Sequence, residues 1–110
     1  QPKEDLNCFI TLNNPIGSTV KVTSATCTKT TSSNCLFPFS FFEFIGAEDT
    51  GSVILNIDGV KEDKEKYTIF EGQARTFTLN AKCLNIGTHN VQVQVTDNEG
   101  QQIDNKLLTK

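Results

Sequence analysis

Methionine and tryptophan are absent from this chain, and His89, Arg75 and Tyr67 are the sole members of their residue types. A lone histidine with no cysteine or carboxylate at ligand spacing beside it fits no common metal-centre pattern. It also leaves most acid–base and nucleophilic schemes short of parts. One arginine and a net charge of −3 argue against nucleic-acid binding, which favours a basic, Arg-rich face. The longest strongly apolar run, Cys35 to Phe42, is far too short to cross a membrane. No Asn-x-Ser/Thr sequon occurs, so N-glycosylation is not expected. The chain starts at Gln1 instead of Met, the start expected of a fragment or a processed product. Removal of a signal peptide would produce it, and Gln1 could then cyclise to pyroglutamate.

What is present describes one small domain. A chain of 110 residues is long enough to bury a real core without a metal. Its four cysteines, Cys8, Cys27, Cys35 and Cys83, include no Cys-x-x-Cys pair. An even count on a Thr-, Asn- and Ser-rich chain points to two disulfides and an oxidising compartment. No window carries a helical stripe. Leu6, Cys8, Ile10 and Leu12 alternate with polar or outward residues, and Val20, Val22 and Ser24 share one side of a Thr/Val-rich stretch. Val53 to Ile57 alternates up to an Asp58-Gly59 turn signal, and Arg75 to Leu79 alternates with Phe77 and Leu79 inward. Tyr67, Ile69 and Phe70 suggest a short strand, and Ile103 to Leu108 a last edge strand. Val91, Val93 and Val95 against Gln92, Gln94 and Thr96 give the cleanest period-2 signal. Thr28 to Asn34 and Leu84 to Gly87 read as loops. Seven or eight short antiparallel strands imply an all-β, immunoglobulin-like sandwich spanning residues 1–110. Residues 1–5 and 106–110 read as flexible or exchanged tails. The expected core is Phe39, Phe41, Ile54 or Leu55, Ile57, Phe77, Leu79, Val91, Val93 and Val95.

Candidate site chemistry is sparse. His89 follows Gly87-Thr88 at a strand start and reads as an exposed turn residue. Pairing it with Cys27 as base and nucleophile has no local signature to support it. Asp97, Glu99 and Asp104, or Glu48 and Asp49, match no calcium-loop spacing and read as solvated loop charge. Glu62 to Lys66 mixes signs over a few residues and reads as a solvated turn. No catalytic residue, cofactor site or metal site is expected. The least ordinary feature is Phe37, Phe39, Phe41, Phe42 and Phe44 within one stretch. On a regular strand the first three share one face and the last two the other. Either a bulge near Ser40 to Phe42 turns all of them inward, or Phe42 and Phe44 form an interface with another subunit or domain.

The stretch from Phe39 to Asn105 resembles the CARDB/APHP-type Ig-like domains of prokaryotic cell-surface proteins. The resemblance rests on Phe41-Phe42-Glu43-Phe44, the Gly46 to Gly51 loop, Val53 to Gly59, Glu71-Gly72 through Leu79, Gly87-Thr88-His89 opening the Val strand, and Asp97-Asn98-Glu99. Ile45 stands where the family has Asn, and the family usually lacks these cysteines. The C-terminal half is more weakly similar to TraQ-type lipoproteins of conjugative elements. The resemblance implies a surface-exposed sandwich module, not a reaction.

Three functions fit. One is a non-catalytic extracellular structural or adhesion module. A second is a subunit of a self-assembling, pilus-like filament that exchanges a terminal strand. A third is a secreted small-ligand binder. The expected partners are proteins or further copies of the chain, with no nucleic acid and no membrane span. In an immunoglobulin-like sandwich a strand starting near Leu36 would run antiparallel to one ending near Asn80. That arrangement favours Cys35 with Cys83 and leaves Cys8 with Cys27. The rival pairing is Cys27 with Cys35 and Cys8 with Cys83.

Overall fold

The computed structural model describes residues 2–35 and 49–110. The Phe-rich segment lies outside the described residues, and with it the core expectation for Phe39 and Phe41 and the interface expectation for Phe42 and Phe44. The described residues contain no helix. They form seven strands: β1 (Lys3–Asn13), β2 (Lys21–Thr31), β3 (Ser52–Ile57), β4 (Val60–Lys66), β5 (Ala74–Asn85), β6 (Asn90–Thr96) and β7 (Gln102–Thr109). All pairings are antiparallel. One sheet runs β2-β1-β5 and the other β4-β3-β6-β7. The protein is therefore an all-β sandwich of two antiparallel sheets. Its strand order differs from that of an immunoglobulin constant domain. There the second strand is central and the fourth joins the sheet of the first; here β1 is central and β4 pairs with β3.

The period-2 pattern explains the layers. Leu6, Cys8, Ile10 and Leu12 of β1 point inward, onto Val53, Leu55 and Ile57 of β3 and Val91, Val93 and Val95 of β6. Phe77, Leu79 and Ala81 of β5 complete the core. Each fully buried aliphatic or Phe side chain contributes roughly 1.5–3 kcal/mol. Ile54 and Leu55 are both buried, so both faces of β3 are covered. On β2 the stripe does not run Val20, Val22, Ser24. A register shift opposite Thr11 and Leu12 inserts one residue, and the buried side continues instead through Cys27. Asp58 (φ 52°) and Gly59 (φ 84°) form the two-residue hairpin between β3 and β4. Both central residues have positive φ, as the type I′ turn requires.

Four local expectations are corrected. Glu62 to Lys66 is not a solvated turn but most of edge strand β4; charged side chains protect an edge while its backbone pairs inward. Tyr67 to Phe70 forms no strand: the Tyr67 N–H makes the last bond that follows the β3–β4 register, to the Gly51 carbonyl, and its hydroxyl donates to the Thr96 carbonyl at 2.7 Å. β2 extends to Thr31 and β5 to Asn85, past the expected loop starts. Residues 3–5 and 106–109 are ladder residues of β1 and β7, not loose tails.

The open seams of the sandwich are each closed by an aspartate. Asp63 of β4 accepts the Asn80 N–H of β5 at 2.9 Å, and Asp104 of β7 accepts the Val22 N–H of β2 at 2.8 Å. Two disulfides add covalent ties. Cys8 and Cys27 oppose one another across the β1–β2 ladder, and Cys35 joins Cys83. Cys83 lies inside β5, not beyond its end, at a bulge where its φ is +60°. Asp5 Oδ1 steadies that bulge by accepting the Cys83 N–H at 2.9 Å and the Ser32 hydroxyl at 2.5 Å. Such bridges persist in a non-reducing compartment.

Candidate functional site: a histidine clasp at one pole

The start of β1, the ends of β2, β5 and β7, the start of β6 and the β3–β4 turn converge at one pole. His89 sits among them and is 6 % exposed, so it is not the exposed turn residue its position suggests. Nδ1 lies 2.7 Å from Asp58 Oδ2. Nε2 lies 2.8 Å from the Asn85 carbonyl and 3.1 Å from Glu4 Oε2. Every one of these neighbours is an acceptor, so the site matches a ring that donates from both nitrogens, as the imidazolium form does. The Asp58 hydrogen bond, opposed by burial and aided by Asn85 and Glu4, holds the His89 pKa above its ordinary value.

Sequence position explains how each group arrives. Glu4 continues the inward stripe of β1 by one more alternation and is only 8 % exposed. Burial pushes its carboxyl up, but the Gly87 N–H, His89 and Lys29 together hold its pKa below the ordinary value. Lys29 occupies the register position opposite Leu6 and reaches Glu4 Oε2 at 3.4 Å and the Gly87 carbonyl at 2.6 Å. Gly87 adopts φ +146°, where a side chain would be strained, and so presents its N–H to Glu4 and its carbonyl to Lys29. Asp58 uses its second oxygen to accept the Asn90 N–H at 2.8 Å. Its pKa is lowered chiefly by His89 and then by that N–H. The His89 backbone pairs in both directions with Lys110, just past the end of β7.

An Asp–His pair invites comparison with catalytic dyads. In those, the second ring nitrogen faces a nucleophile. Here it is closed by Asn85 and Glu4, and all four cysteines are oxidised. The carboxylates flank opposite ring nitrogens and do not converge. Among the described residues no group of three or more His, Cys, Asp or Glu is placed to hold a metal ion. Asp97 Oδ1 accepts the Glu99 and Gln101 N–H groups, and Asp49 is bound by Lys61 and Lys64.

At the opposite pole, Asn14, Val20, Tyr67, Ile69 and Asp97 line an open cleft of about 460 Å³. Its Tyr67 hydroxyl and Asn14 amide are already bonded to the carbonyls of Thr96 and Ile69. The outer face of the three-stranded sheet carries Thr26, Thr28, Thr30, Thr76 and Thr78 around Phe9. Thr11 and Thr76 bond each other there, as do Asn7 and Thr30. Sequence inspection did not find the His89 cluster, because Asp58 and Glu4 lie 31 and 85 residues away. The available hint was Glu4, an acid in step with an apolar stripe. No helix among the described residues is long and apolar enough to cross a membrane. No family model, curated protein or solved structure matches the chain.

Proposed function

We propose that this protein is a non-catalytic structural or adhesion module of an extracellular, cell-surface protein, consistent with its resemblance to CARDB/APHP-type domains. One observation carries the proposal. His89 is turned inward, and both of its ring nitrogens are taken up by the protein's own backbone and side chains. Two disulfides and two aspartate-closed seams then make a scaffold suited to an oxidising exterior. The partner is a protein.

The filament alternative is favoured by one feature. Among the described residues β7 has a single ladder neighbour, β6, so a second copy could supply it without breaking any other ladder. Sedimentation of the native protein over a wide concentration range tests both. A monodisperse monomer supports the module. A ladder of species or fibres supports strand exchange and overturns the module as the primary function.

A further inference from the structure

The His89 clasp joins the ends of the two sheets, which no ladder joins. Through its ring it holds the β3–β4 turn (Asp58), the end of β5 (the Asn85 carbonyl) and the start of β1 (Glu4). Through its backbone it holds the end of β7, by bonds to and from Lys110 at 3.0 and 2.9 Å. The charged groups around it are Glu4 from β1, Lys29 from β2 by way of Glu4, and Asp58 from the turn. β5 and β7 contribute only backbone groups to His89.

A neutral ring cannot serve this site. With one proton it presents a lone pair either to the Asp58 carboxylate or to the Asn85 carbonyl and Glu4 together, and each of those contacts is repulsive. Glu4 would not be stranded, since Lys29 and the Gly87 N–H still bind it. The loss therefore falls on the 86–89 loop and on the strand end paired to it. We propose that the His89 imidazolium is a pH-released pin: protonated, it holds the β5–β6 loop and the end of β7 to the pole; deprotonated, it lets both open locally while the sandwich core stays folded.

The direction follows from linkage. The folded-state pKa of His89 lies above its ordinary value of 6.5. The stabilisation is complete below the unfolded value and is lost as pH rises through the folded one. Glu4 and Asp58 are lowered, so their part is present above their ordinary 4.5 and 3.8 and fails only as pH falls below that range. The pin is thus set at mildly acidic pH and released as pH rises through the folded-state titration of His89, which lies above 6.5. It operates whether or not β7 exchanges between copies.

The test is amide hydrogen exchange by NMR between roughly pH 6 and 9, corrected for intrinsic rates, with the ring shifts of His89 followed in parallel. Protection of the His89 and Lys110 amides should fall by up to about tenfold for each pH unit between the ordinary value of 6.5 and the ring's own titration point, and level off above it. Ser32, whose N–H bonds the Lys3 carbonyl, and Val93 in the core should keep their protection. His89→Gln should show low, pH-independent protection at Lys110. If that variant does not fold, the wild-type titration decides alone. A ring that titrates at or below its ordinary value, or Lys110 protection that tracks Val93 at every pH, would overturn the proposal.

Discussion

Removing each disulfide separately tests what the bridges contribute. Cys35–Cys83 has a sequence separation of 48 and Cys8–Cys27 of 19. Loop-closure entropy gives about 4 kcal/mol for the longer loop and about 3 kcal/mol for the shorter, a difference of about 0.8 kcal/mol. On that ground alone, loss of Cys35–Cys83 should cost more. Packing reverses the order. Cys8 is fully buried and Cys27 nearly so, whereas Cys35 and Cys83 are partly exposed. Trimming two buried sulfurs removes transfer energy of about 0.8 kcal/mol for each methylene-sized group and leaves a cavity as well. Cys8→Ala/Cys27→Ala should therefore lose about 5 kcal/mol and Cys35→Ser/Cys83→Ser about 4 kcal/mol. Urea unfolding of the two variants against wild type, with m allowed to rise as the denatured chain expands, measures both. The larger loss belonging to Cys35→Ser/Cys83→Ser would show that the sulfurs add nothing to the core. A loss under about 1 kcal/mol for that variant would refute the loop-closure account.

Further expectations rest on individual contacts. Phe77→Ala, at a nearly fully buried position, should cost about 3–5 kcal/mol, and an unchanged melting temperature would contradict its inward placement. Gly59→Ala meets no neighbouring atom but must hold φ +84°, so a thermal melt should show a loss of about 1–2 kcal/mol with the core packing unchanged by NMR. Asp104→Ala should leave the Val22 N–H unpaired, cost about 1–3 kcal/mol and raise self-association in sedimentation. Asp5→Ala, which frees the Cys83 N–H and the Ser32 hydroxyl, should destabilise by a similar amount, about 1–3 kcal/mol, and speed exchange of the Cys83 amide.

Legibility in the sequence tracked the range of the responsible interaction. β6 announced itself because Val91, Val93 and Val95 need only their own alternation, and the hairpin did so because Asp58-Gly59 sets a turn within two residues. The sandwich follows from such local signals. β4 was hidden because Lys61 to Lys66 has the composition of a loop, and only its place at a sheet edge makes that composition useful. The bulge in β2 was hidden because its cause is the partner strand's register, so Ser24 seemed the natural inward residue. The Phe-rich stretch lies outside the described residues. The clasp was hidden most thoroughly, because its members come from Glu4, Lys29, Asp58, Asn85 and His89 and meet only once every strand is placed.

The meeting of β1 and β7 at a single pole has a mechanical consequence. Tension applied between Lys3 and Lys110 would not load the ladders lengthwise, as in sandwiches whose first and last strands leave from opposite poles. It would pull β7 away from β6 one rung at a time, starting at the His89–Lys110 pair, so the rupture force is that of a single pair of backbone bonds. On the other side, peeling of β1 from β2 cannot proceed beyond Cys8–Cys27, and the Cys35–Cys83 bridge fastens the end of β5 to the segment after β2. Under force the molecule would behave as a short extensible tether with two hard stops.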